Sequence, residues 1–185
     1  MSQSENITRF KERARSVLTV VSEAKNMAAA FEYAAELTCK QGRQSIAAPG
    51  IAGEDLALLI SICKEKNLVV FTDNLREKAE RIGTGLTMAD WGIAETATLV
   101  VDSSSEEIRI ATMLSEVHVA VLPKSRIVPD AASIEEELTR MMKAAPGYLA
   151  FISGASRTAD IERVLTIGVH GPQELHVVML NEEKR

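Results

Sequence analysis

The sequence has little cysteine: two residues in 185, Cys39 and Cys63. Their number and spacing exclude a disulfide framework and a cysteine-rich metal site. Both fall on apolar faces of expected helices, where a free thiol packs as a small hydrophobe. No apolar run reaches the roughly 18 residues that a membrane-spanning helix needs. No run of Lys or Arg is present, and the formal net charge is −5. Nucleic acid would demand a basic stripe, so that class of partner is not expected. The opening residues Met1 to Glu5 are polar and lack the pattern of a signal peptide, so a cytoplasmic location is expected. The three histidines, His118, His170 and His176, lack metal-ligand spacing, and no metal is expected. Gly83-Thr84-Gly85 has no third glycine at the offset of the dinucleotide fingerprint. No Ser/His/Asp set can be built from spacing.

What is present is ordinary for a globular chain: 46% apolar and 25% charged residues. A chain of this length buries roughly 70% of its unfolded surface and needs no staples. One domain over 1–185 is the economical reading, with the motif-bearing half at 83–180.

Helix and strand signals alternate. A polar helix is expected over 5–15, then a β-branched strand over 16–21. A helix over 23–41 carries Met27, Ala30, Phe31, Ala34 and Thr38 on one stripe, and Gly42 stops it. A short strand over 45–48 ends at Pro49-Gly50. Leu56, Leu59, Ile60 and Cys63 form the next helical face. A buried strand over 68–71 and a polar helix over 73–81 follow. Strands are expected over 97–102, 117–122, 148–153 and 175–180. Ser103 with Glu106, and Ser133 with Glu136, have capping-box spacing and open two further helices. A last helix is expected over 158–165. Strands separated by helices imply an α/β fold: a mostly parallel sheet with helices on both faces. Ligands of such sheets bind beyond the carboxyl ends of the strands.

Three segments could carry chemistry. The first runs from Gly83 to Thr98. Gly83 and Gly85 allow close backbone approach, and Thr96 offers a hydroxyl. Asp90 and Glu95 could serve as acid, base or nucleophile. The same residues would also serve as turn formers and caps. The second is 152–162. Ser153, Gly154, Ser156, Arg157 and Thr158 gather at an expected helix start, whose free amides would welcome a carboxylate or phosphate. There too a plain N-cap, with Asp160 and Glu162 answering the dipole, explains the residues equally well. The third is 168–176. His170 lies in a tight turn where its ring can face a cleft and titrate near neutral pH. His176 and His118 lie in apolar strands and read as core.

Four stretches in register carry a resemblance: MADWGIAETATLV (88–100), EVHVAVLPKSRIVPD (116–130), ISGASRTADIE (152–162) and GVHGPQELHVVML (168–180). Together they resemble the LUD family. The resemblance implies a sheet of the NagB/RpiA/CoA-transferase kind, shared by ribose-5-phosphate isomerase, glucosamine-6-phosphate deaminase and CoA transferases. It implies a role in bacterial L-lactate oxidation alongside partner proteins that carry iron–sulfur clusters. This chain lacks the cysteines for a cluster of its own, so it would be an accessory or substrate-handling subunit. A small 2-hydroxy acid would then place its carboxylate at Ser156, Arg157 and Thr158, with Glu95 and His170 as candidate bases. Where the family tends to carry a glycine after the Glu-Thr pair, this chain has Ala97. The alternatives are a free-standing isomerase or acyl/CoA-transferase-like enzyme acting on a small anion through Glu95, and a non-catalytic small-anion-binding regulatory module.

Overall fold

A computed structural model describes residues 2–143, 147–158, 166–167 and 171–181. Helix α1 (Gln3–Ser16) opens with a capping box: the Glu5 amide donates to Ser2 Oγ at 3.3 Å, and the Ser2 amide donates to Glu5 Oε2 at 2.7 Å. Ser16 stays in that helix, and Leu18 turns the chain at φ +57°. Strand β1 therefore spans Thr19–Ala24, later than the β-branched run alone suggests. Helix α2 (Met27–Lys40) is capped by Asn26, whose side chain accepts from the Ala29 amide at 3.0 Å. Its buried residues are Ala30, Phe31, Ala34, Ala35 and Thr38; Cys39, expected on the apolar face, is instead exposed, one position past that stripe. Strand β2 (Ser45–Ala47), helix α3 (Gly53–Glu65) and strand β3 (Val69–Phe71) follow. The expected polar helix is short: α4 (Leu75–Lys78) and a 3-10 turn over Ala79–Arg81.

The segment expected as a turn between 83 and 98 holds two strands, β4 (Thr84–Met88) and β5 (Trp91–Ile93). Then come β6 (Thr98–Asp102), α5 (Glu106–Met113), β7 (Val117–Pro123), β8 (Ile127–Val128) and α6 (Glu135–Lys143). Last are β9 (Leu149–Ile152), β10 (Arg157–Thr158), β11 (Thr166–Ile167) and β12 (Glu174–Leu180).

Neither expected capping box forms in the second half. Helix α5 starts three residues after Ser103, whose hydroxyl donates to the Tyr148 carbonyl at 3.2 Å. Ser133 turns to Asp130 instead, donating its amide at 2.9 Å and its hydroxyl at 2.7 Å. The helix expected from Thr158 does not begin there. Arg157 and Thr158 pair antiparallel with Ile167 and Thr166. The remainder of that expectation, 159–165, lies outside the described residues.

Six strands form an all-parallel sheet in the order β1-β12-β7-β4-β2-β3. Helices α2 and α3 cover one face, through a core that includes Phe31, Leu59, Cys63, Val119 and Val178. The other face meets Phe10 and Ala14 of α1, and also a second sheet. That sheet has the order β8-β5-β6-β9 and contains antiparallel pairs. Its residues Leu99 and Val101 join Leu122, Leu175 and Met179 in the core. Its opposite side packs Val100, Trp91 and Ile93 against Ile134 and Leu138. The parallel α/β class follows from the sequence rhythm. The added layer is new, because β5 and β8 have only three and two residues and carry almost no periodic signal.

Candidate functional site

The turn between β5 and β6 contains Glu95, Thr96 and Ala97. Ala97 adopts φ +51°, a left-handed conformation that costs an alanine about 1–2 kcal/mol and costs glycine nothing of the kind. The bend exposes Glu95, whose Oε1 lies 3.7 Å from Arg9 Nη2 on α1. The Thr96 and Thr98 hydroxyls are 2.7 Å apart. Thr98 Oγ1 in turn hydrogen-bonds Ser153 Oγ. The cause is strand register. Leu99 pairs with Ile152 between β6 and β9, so the residues just beyond that pair stand side by side. Two segments far apart in sequence thus meet at one corner, Thr96 and Thr98 from the first and Ser153 from the second, while Glu95, next to Thr96 in sequence, faces Arg9.

Gly154 follows at φ +83°, pressed against the Val17 carbonyl that ends α1. The same carbonyl accepts from Arg157 Nη2. Arg157 therefore ties the chain after β9 to the end of α1. The Ser156 amide donates to the Pro172 carbonyl at 2.9 Å.

Beside this corner lies a groove of about 400 Å³. Residues 148–154 form one wall, and Arg109, Thr112 and Met113 of α5 form another. Ser103, Ser156, Gly171 and Pro172 complete it. Arg109 is held by Nη1, which donates to the Ser104 carbonyl at 3.0 Å and also to the Ser103 carbonyl. Its guanidinium carbon stands 5.5 Å from the centre of the Tyr148 ring.

Other expected site residues lie elsewhere. Gly83 donates its amide to Ser45 Oγ at 3.2 Å, at the start of β4. Gly85 lies under α5, where a Cβ would collide with the Ala111 carbonyl. Both glycines have a packing reason to be glycine, so the ligand approach expected of them has a simpler explanation in the fold. Thr158 pairs with Thr166 in β10 and β11. His170 lies outside the described residues.

The two other histidines are core residues with partners. His118 Nε2 stands 2.8 Å from Thr87 Oγ1, and burial pushes its pKa down to about 4. His176 links Tyr33 and Glu174, at 2.7 and 2.8 Å. A carboxylate only accepts, so Nε2 donates to Glu174, while Nδ1 shares a hydrogen bond with the Tyr33 hydroxyl. Asp90 is partly buried, and burial raises its pKa although its Oδ2 accepts from the Asp102 amide at 2.7 Å. Among the described residues, no group of three or more His, Cys, Asp or Glu side chains is placed to hold a metal. None of their helices is long and apolar enough to cross a membrane. Sequence reasoning did not single out Thr98, Arg9 or Arg109. Thr98 could have been found from its i+2 spacing to Thr96 ahead of an apolar strand. The two arginines look like any solvated helix charge.

Fold and site define a class: a parallel α/β protein with an added mixed sheet and a hydroxyl-lined corner at the end of its β6–β9 pair. The LUD domain family model matches residues 7–180, and the chain belongs to that family. It is similar to "Lactate utilization protein C" of Halalkalibacterium halodurans, 41% identical over 105 residues, which cover 54% of this chain and 45% of that one. The protein of the same name from Bacillus subtilis is 33% identical over 109 residues, covering 57% and 45%. This chain thus spans less than half the length of either relative. The uncharacterized protein YkgG of Escherichia coli K12 is 32% identical over 181 residues, 93% of this chain and 78% of that one. A crystal structure of a DUF162 family protein from Deinococcus radiodurans shares the fold, with TM-score 0.67 at 19% identity, covering 97% of this chain and 99% of the other.

Proposed function

We propose that this chain is an accessory, substrate-handling subunit of an iron–sulfur-dependent system that oxidises L-lactate or a related 2-hydroxy acid. Family membership and relatives named for lactate utilisation support the substrate class. The observation that carries the site is the hydroxyl chain Thr96–Thr98–Ser153, which joins positions 55 residues apart in the turn that also carries Glu95. Clustered hydroxyls donate to a carboxylate or accept from a substrate alcohol. Glu95 is the base that takes the proton from the substrate's hydroxyl carbon, with Arg9 holding positive charge beside it, and the hydroxyl proton leaves to solvent as the electron pair departs. Gly154 and Ser156 shape the wall, and Arg157 fixes it to α1. Oxidation of lactate to pyruvate releases two electrons and two protons. This chain has two cysteines, too few for a cluster, so the electrons go to the iron–sulfur clusters of partner proteins.

The test is a thermal-shift titration of the purified chain with L-lactate, pyruvate, glycolate, a sugar phosphate and a CoA ester. A ligand that binds only the native state raises Tm with the logarithm of its concentration above Kd. L-Lactate or glycolate should raise Tm in the native chain, and the shift should vanish in Ser153→Ala and in Glu95→Gln. A shift that survives both substitutions removes this corner as the site. A shift with the CoA ester alone replaces the reading with that of a free-standing transferase.

A further inference from the structure

The edges of the two sheets are not treated alike. The β8 edge is covered by α1: Gln3 Nε2 donates to the Ile127 carbonyl at 3.1 Å and also to the Lys124 carbonyl. The β1 edge carries Glu23, paired with both Lys11 and Lys124. The β3 edge has only three residues. Charge, cover and shortness are the usual devices that stop an edge from pairing with another chain. Strand β9, at four residues, is also short, but it carries no charge and no cover among the described residues. It is the outer strand of its sheet, and its second edge is unpaired among the described residues. Residues 148–153 include no charge and no proline, and Tyr148 and Phe151 are 57% and 53% exposed.

The groove gives that edge a shape. Its wall over 148–154 follows β9 residue by residue, and α5 stands opposite. A slot between a free strand edge and a helix is the geometry that accepts an extended peptide as an added strand. Four residues at about 3.3 Å each give an edge of roughly 13 Å, the length of a short recognition segment. The lining holds one charged residue, Arg109, in a chain of net charge −5. Among the described residues its hydrogen bonds leave from Nη1, so Nη2 and Nε keep donors for a carboxylate.

We propose that this groove binds an extended segment of a partner protein as a fifth strand on β9, with apolar side chains alternating along it and an acidic group seated at Arg109. Backbone hydrogen bonds supply most of the recognition, and the acid sets where the segment stops. A small acid would leave the row of β9 amides and carbonyls unanswered, whereas another backbone satisfies them. This inference does not depend on the lactate reading.

The test selects binders to the purified full chain from a phage-displayed library of random seven-residue peptides, then measures synthetic versions by fluorescence anisotropy. Selected peptides should alternate apolar residues and carry an acid near one end. In a paired strand alternate amides point at the neighbour. Methylating every second amide nitrogen should therefore weaken binding at least tenfold in one register and leave it nearly unchanged in the other. Arg109→Ala should cost about tenfold for the acidic peptide and little for its amide counterpart. Phe151→Asp should weaken every selected peptide, with the far-ultraviolet dichroism unchanged. Failure to select any peptide, equal loss in both methylation registers, or indifference to Arg109→Ala overturns the proposal. So does self-association of the chain that Phe151→Asp abolishes, which would make the occupant a second copy. Loss of the lactate thermal shift with peptide binding intact would sink the acid site and leave the groove standing.

Discussion

Strands β7 and β9 are both apolar runs, VHVAVLP and LAFI, yet they have opposite fates. Every residue of β7 from Val117 to Leu122 is at most 2% exposed. In β9, Phe151 is 53% exposed and its neighbours are only partly covered. The difference comes from neighbours. Strand β7 lies between β12 and β4, with a packed layer on each face. Strand β9 has β6 on one side and a groove on the other. A run of apolar residues marks a strand, but whether that strand becomes centre or edge is decided by what returns to lie beside it.

The contrast can be broken at its strongest point first. Leu122→Ala removes a fully buried side chain from the core between the sheets and should cost about 2–5 kcal/mol in urea unfolding. Phe151→Ala, at the open edge, should cost about 1 kcal/mol or less by the same measurement. Equal losses would mean that the β9 face is covered in solution.

Acid sharpens the same contrast, because His118 sits inside β7. Its folded pKa, about 4, lies below the ordinary histidine value of 6.5. Between those values the unfolded chain binds the extra proton, so stability rises with pH and falls on acidification. From pH 7 to pH 4 the loss should be on the order of 3 kcal/mol. His118→Gln should flatten that limb, and an unchanged slope would show that the ring is not buried. The surface cluster of Glu23, Lys11 and Lys124 offers a control in a lower window. Lys11 and Lys124 pull Glu23 down to about 2, so its contribution is present above pH 4.5 and fades as pH falls toward 2.

The smallest expected effect lies in the β5–β6 turn. Ala97→Gly should stabilise the chain by about 0.5 kcal/mol, because relief of the strain at φ +51° is partly offset by the larger entropy glycine loses on folding. A loss of stability there would mean that the alanine methyl packs well enough to outweigh the strain.

Much of the fold was legible. The alternation of apolar helical stripes with β-branched runs gave the parallel α/β class, since each signal repeats within a few residues. The capping spacings at Ser103 and Ser133 misled. A serine hydroxyl finds several acceptors at similar distance, and here Tyr148 and Asp130 answered first. Of the candidate site, Glu95, Thr96 and Ser153 were visible as residue types in suggestive turns. Their meeting was not visible, and neither was the partner role of Thr98.

The sequence by itself determined what local chemistry can: most element types, the buried stripe of α2, the apolar centre at β7, the scarcity of cysteine and the acidic balance; of the expected α3 face, Leu59 and Cys63 are buried but Ile60 is 48% exposed, because no layer of the described residues covers that side. Tertiary structure alone decided the order of the strands, the antiparallel β6–β9 pairing that brings Thr98 to Ser153, the packing use of Gly85 beneath α5, and the β9 edge that no described residue pairs. Periodicity is written in neighbouring residues, whereas register, edges and grooves arise from pairings between residues far apart, and nothing local records which partner arrives.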